Sequence, residues 1–256
     1  FQNFNEHQCS LCGDLDKLTG EHKIKASALK SEFGEDILYI GNSDNATERM
    51  KLAQSVRSKH LKFRLQICEA CNTSRTQKAD REFDKFNELA RKKLQRGENP
   101  EQVFEMARYH KGSEAYQNLF KYFAKLLCCH MAEVNAPRPK RLSDFAISRS
   151  NTNCIWLSIK RDWTYDQAKE QIGSHQYAAH GGLIVYGSKT SLAANAFHST
   201  LTIGSLQYVF FLRLDWVERL ELKVLYPCFT KWCRVQIEKA TNTPLSLEQK
   251  KKLGIS

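Results

Sequence analysis

Cys9-Ser-Leu-Cys12 and Cys68-Glu-Ala-Cys71-Asn72, with Leu18-Thr19-Gly20-Glu21-His22 between them, are the stretch from which the chain is best read. Two Cys-x-x-Cys knuckles separated by a folded segment supply four thiolates, the ligand set of a tetrahedral zinc site. Cys9, Cys12, Cys68 and Cys71 are therefore expected to bind zinc and to pin distant parts of the chain together. Four thiolates leave no coordination position for water, so this zinc would be structural. It would also bring an acid (Glu21), a histidine (His22) and an amide (Asn72) close to one another.

The chain has 256 residues, of which 41% are hydrophobic and 11% aromatic, a composition that supports a buried core and excludes a disordered chain. No apolar run reaches the length of a membrane span. The net charge of +11 favours a polyanionic partner, nucleic acid ahead of a membrane surface, because no basic amphipathic anchor is evident. Nine cysteines, an odd number with four at ligand spacing, argue against a disulfide framework. They suit a reducing, intracellular (cytoplasmic) setting.

The hydrophobic pattern predicts a mixed α+β fold in which residues 1–97 form a zinc-pinned unit, 98–135 a helical extension, and 136–256 an α+β C-terminal domain. Phe63, Leu65 and Ile67 alternate as a strand running into Cys68, and His22 to Ala26 reads as a short strand opposite it. Residues 31–47, rich in Gly, Asn, Asp and Ser, read mostly as loop. An apolar stripe of Phe83, Phe86, Leu89, Ala90 and Leu94 predicts a helix over 79–95. Asn99-Pro100-Glu101 signals a second, running to Tyr109, and Ser113 a third, over 114–133. Ala136-Pro137-Arg138-Pro139-Lys140-Arg141 reads as a linker. Beyond it, 154–160, 183–186, 208–214 and 220–226 read as strands, and 164–171, 191–197 and 230–240 as helices.

With these residues in view, the order Cys9-x-x-Cys12, Thr19-Gly20-Glu21-His22-Lys23-Ile24, Arg64 to Cys68-x-x-Cys71-Asn72 resembles the HNH (ββα-metal) endonucleases. It is closest to their zinc-containing branch, typified by phage recombination endonuclease VII, and the resemblance covers about residues 5–90. It implies a hairpin followed by a helix, gripping one divalent ion, Mg²⁺ or Mn²⁺, through Glu21 and Asn72. His22 would act as general base on the attacking water, and Lys23, Lys25, Arg64 and Arg75 would contact nucleic acid, DNA ahead of RNA. Two departures stand out: Glu21 replaces the commoner Asp, and Arg64 stands where the family's middle Asn is expected. The implied role is hydrolysis of phosphodiesters, in phage defence or restriction. Two alternatives stay open: a zinc-stabilised module that binds nucleic acid without cutting it, and an effector nuclease gated by a ligand, a protein partner or a second copy through the C-terminal domain. Asp80 and Gln77 are assigned to bracing the helix or the metal's surroundings. The basic run Arg49, Lys51, Arg57, Lys59, Lys62 and Arg64 adds candidate phosphate contacts. Cys128-Cys129-His130, on a predicted helix, and Cys228 and Cys233 are assigned to core.

Overall fold

The structure, a computed structural model, describes residues 1–3, 6–35, 37–42, 50–162, 164–188 and 190–243. Arg49 lies outside the described residues. The fold is α+β, as the pattern predicts. The chain forms two compact units: 1–183 with 198–213, and 184–197 with 214–256.

In the first unit, β1 (Leu18–His22) pairs antiparallel with β4 (Lys62–Cys68), forming a two-stranded sheet. Leu18 faces Cys68 and Gly20 faces Gln66, but His22 faces Lys62, so extra residues of β4 bulge out opposite Glu21. Such a bulge re-aims side chains locally. β1 stops at His22, and residues 23–26 do not continue it. Lys25 instead starts α1 (Ala26–Phe33), which buries Ala28 and Leu29. The expected loop over 31–47 thus begins in that helix, and Leu38 to Asn42 forms β2, with Leu38 and Ile40 buried. The Gly and Asn residues that suggested a loop here flank an alternating apolar pair.

β2 pairs antiparallel with β3 (Lys51–Ala53) and parallel with β6 (Tyr177–His180). The sheet continues through β8 (Ala194–Ile203) and β9 (Leu206–Arg213) to β5 (Ile155–Arg161). The helices α2 (Gln77–Gln95), α3 (Glu114–Glu133), α4 (Lys140–Ala146) and α5 (Thr164–Ile172) complete the unit.

α3 is the axis of this core. Ser113 caps it, its hydroxyl accepting from the Tyr116 N–H at 3.1 Å. Phe83 of α2 stacks on Tyr122 with ring centroids 4.0 Å apart and meets Phe123 and Tyr208 edge-on. The buried Tyr208 hydroxyl donates to Asn87 Oδ1 at 2.8 Å, so the aromatic cluster leaves that polar atom satisfied.

Two sequence expectations in this unit give way to tertiary contacts. Asn99 does cap a turn at Pro100, but residues 100–109 form two short 3₁₀ segments broken at an extended Met106, not one α-helix. The Glu101 carboxylate is committed elsewhere, accepting from the Ile159 N–H and Ser158 hydroxyl of the outer strand β5. Residues 136–139 are buried and do not form a linker. The Arg138 guanidinium donates to the Cys9 carbonyl and to Gln2 Oε1, and Ser143 Oγ donates to the Leu11 carbonyl.

In the second unit, β7 (Ile184–Gly187) pairs with β8, whose residues 194–197 belong to this unit. Residues 191–197, read as a helix, thus enter a strand. Conversely, the apolar run 220–226 lies in α6 (Trp216–Leu225) rather than a strand. The deciding signal is Asp215-x-x-Glu218: the Glu218 N–H donates to Asp215 Oδ1 and the Asp215 N–H to Glu218 Oε2, a complete capping box. α7 (Pro227–Asn242) follows, with Cys233 buried but Cys228 exposed rather than core.

Candidate metal centre and acid–histidine site

The two knuckles meet at one end of the β1–β4 pair. The Sγ atoms of Cys9, Cys12, Cys68 and Cys71 all lie within 4.8 Å of one another, with Cys12 and Cys68 3.6 Å apart. Zinc–sulfur bonds of about 2.3 Å at tetrahedral angles put sulfurs about 3.8 Å apart, so this cluster can hold a metal ion such as zinc. Among the described residues it is the one such group of three or more His, Cys, Asp or Glu side chains.

Local sequence explains the geometry. The Gly13 N–H returns to the Cys9 carbonyl at 2.9 Å with Gly13 at φ +79°, a left-handed turn in which a Cβ would press on the Arg138 guanidinium. On the other knuckle, residues 71–75 form a wide π-type turn before α2. A hydrogen bond from Cys71 pulls the Cys9 thiol down to about 4, and the same bond with burial pushes Cys71 up. The Arg75 guanidinium lies 3.5 Å from Cys71 Sγ and favours thiolate there.

The acid–histidine pair sits at the far end of β1. Glu21 is buried and His22 half-buried. His22 Nε2 is buried without a hydrogen-bond partner. Burial, reinforced by the Lys62 and Lys125 charges, depresses the His22 pKa, so the imidazole is neutral at pH 7. Asn72 donates from Nδ2 to Thr19 Oγ1 at 3.0 Å, and Thr19 in turn donates to the Ile67 carbonyl. The amide is thereby tied to β1 through Thr19.

Lys125, from α3, is the residue that sequence reading missed. It is 1% exposed, and its ammonium donates to Glu21 Oε1 at 2.9 Å and to Asp80 Oδ1 at 2.5 Å. The two carboxylates hold the Lys125 pKa above its ordinary value against its burial. Burial pushes the Glu21 carboxyl up, opposed by Lys125. A lysine inside the run Tyr122-Phe123-Ala124-Lys125-Leu126-Leu127 was the available signal, because a charge amid core residues requires a partner.

The cations expected to touch nucleic acid are largely engaged within the protein. Lys23 Nζ pairs with Glu133 at 2.9 Å, and Lys25 Nζ reaches Asp84 Oδ2 and the Asp80 carbonyl at 2.5 Å each. Arg75 lies on Cys71, while the Arg64 side chain is 80% exposed, with its Nη2 on the Glu133 carbonyl. Lys51, Arg57, Lys59 and Lys62 are exposed. Cys128, Cys129 and His130 are buried on α3, as expected of core residues.

Site and fold together define the class: an α+β chain with a four-cysteine cluster able to hold a metal ion at one end of β1 and a buried acid–lysine–acid centre at the other. No protein-family model, curated protein or solved structure matches the chain. Among the described residues, no helix is long and apolar enough to cross a membrane.

Proposed function

We propose that the chain is an HNH-type endonuclease that hydrolyses nucleic-acid phosphodiesters, DNA ahead of RNA, with zinc on Cys9, Cys12, Cys68 and Cys71 as scaffold. One observation carries this reading: a neutral His22 with an unpartnered Nε2 lies next to Glu21 on β1, whose partner strand runs into Cys71, Asn72 and then α2. That strand–strand–helix order is the frame the resemblance implies. A neutral imidazole is the form a general base needs at pH 7, and Nε2, buried here, must be opened to the attacking water for it to act.

The second metal of that reading meets an obstacle. Glu21 Oε1 already accepts from Lys125, and Asn72 Nδ2 donates to Thr19. As arranged, Lys125 occupies one of the two Glu21 oxygens in place of a metal, which leaves Glu21 Oε2 and Asn72 Oδ1 as the atoms that would hold a Mg²⁺ or Mn²⁺ ion. The same observation favours a second reading, a zinc-stabilised module that binds nucleic acid without cutting it, with Lys125 as the resident cation. Plasmid cleavage with and without added Mg²⁺ or Mn²⁺ decides between the two. Turnover that disappears in His22→Ala supports the endonuclease. Salt-sensitive binding with no product under any condition supports the binder.

A further inference from the structure

α3 is apolar around most of its surface, yet Gln117, Lys121 and Lys125 follow one another at four-residue intervals and share a face. Lys125 serves the acid centre. Lys121, about 6 Å away along the helix axis, does not. It opens on a cleft of about 720 Å³ between the start of α2, the start of α3 and the turn after α4. Arg75, Lys78, Asn118 and Asn151 line the same cleft.

Lys121 is only 6% exposed, and its ammonium bonds a neutral atom, Asn151 Oδ1, at 3.0 Å. Among the described residues it makes no ion pair, whereas the more deeply buried Lys125 has two. Burial draws the Lys121 pKa down, and only Glu114 among its neighbours draws it back. That carboxylate is itself paired with Lys78 at 2.9 Å. An uncompensated buried ammonium is costly and gains from an anion. Glu114 lines the cleft too but is balanced by Lys78, so Arg75 and Lys121 leave the lining net positive, and the first turns of two helices add the positive ends of their dipoles. Gln117 Oε1, also in the lining, is a buried acceptor without a partner.

We propose that this cleft is a phosphate subsite, with Lys121 at its floor and Arg75 and Lys78 at its rim, one helical turn from the acid–histidine centre. It deepens the nucleic-acid reading given above and rests on it for the ligand's source: a phosphodiester of a bound strand, or a free phosphate group carrying the same chemistry.

The test is calorimetric titration of the full chain, in a His22→Ala background without added Mg²⁺ or Mn²⁺, with inorganic phosphate and with a single-stranded oligonucleotide lacking terminal phosphates. Lys121→Met should weaken binding by roughly tenfold or more, the loss of a charge-assisted hydrogen bond. Asn151→Asp places a carboxylate against the ammonium and should abolish binding while raising the melting temperature, an outcome misfolding cannot mimic. Oligonucleotide binding that is lost in both variants supports a strand's phosphodiester as the occupant. Phosphate binding lost in both variants, with no oligonucleotide binding, supports the subsite for a free phosphate group and counts against the nucleic-acid reading. Unchanged affinity in either folded variant, or no binding of either probe, overturns the subsite whatever the outcome of the cleavage assay.

Discussion

Lys125 Nζ stands 2.9 Å from Glu21 Oε1, joining the middle of α3 to the last turn of the β1–β4 ribbon across 104 residues of sequence. With Asp80 as the second partner, one buried positive charge faces two carboxylates. Lys125→Met keeps the stem's volume but strands both acids, and breaking a buried pair from one side costs about 3–5 kcal/mol. Urea unfolding at pH 7 should register that loss. Burial already pushes the Glu21 carboxyl up, so it takes up a proton as pH falls, and the penalty should narrow below neutrality. A Lys125→Met protein as stable as the parent would mean that the triad is not closed in solution.

His22→Ala should lower cleavage by roughly 10²–10⁴-fold, the usual contribution of a general base. The depressed His22 pKa sets the pH profile: the free base is present above the histidine range, so the parent's rate should be flat through pH 7 and above and fall in acid. A product yield equal to the parent's in supercoiled-plasmid assays would remove His22 from the chemistry.

The cysteine knuckles, α2, α3, α5, β5 and β9 are legible in the sequence because each carries local information: ligand spacing, an apolar period, or a cap such as Ser113. The acid centre is not. Glu21 and Asp80 are named from their neighbourhood to the cysteines, but their partner Lys125 arrives from an element chosen by core packing. No local pattern states which carboxylate a buried lysine will meet. The same holds for Arg138: a Pro-rich basic hexapeptide looks like a linker until its guanidinium is seen on the Cys9 carbonyl. Leu220 to Tyr226 differs from its strand reading for another reason. Its apolar run is ambiguous between strand and helix, and the capping box at Asp215 and Glu218 that decides for helix lies just upstream.

The buried His130 and the half-buried His180 should make the fold acid-sensitive. Burial lowers the His180 pKa to about 4, and His130 beside it is lowered too. Unfolding exposes each ring at an ordinary pKa near 6.5, so below that pH the unfolded chain binds protons that the folded chain refuses. The stability held above about pH 6.5 is therefore lost as pH falls through the folded pKa. At about 1.4 kcal/mol per unit, His180 alone accounts for roughly 3 kcal/mol between pH 6.5 and 4. His180→Gln should flatten the slope of urea stability against pH over that window. A slope unchanged by the substitution would assign the acid sensitivity elsewhere.

Metal removal should act on more than the knuckles. The Cys9–Gly13 turn is held from outside by Arg138 on the Cys9 carbonyl, Ser143 on the Leu11 carbonyl and Ser10 on the Gln66 carbonyl. Releasing the ion frees the four thiolates, and those contacts carry the disturbance to residues 136–147 and the Cys68 end of β4. α3 is held by its own aromatic packing against Phe83 and Tyr208 and should stay protected. Elemental analysis should give one zinc per chain, lost in Cys68→Ser. A chelator should lower the melting temperature by on the order of 10 °C, the equivalent of a few kcal/mol in a chain of this size. Amide exchange should then rise at residues 9–13, 66–72 and 138–147 and not along α3. Melting indifferent to both the chelator and Cys68→Ser would mean that the four sulfurs hold no ion and that packing alone brings them together.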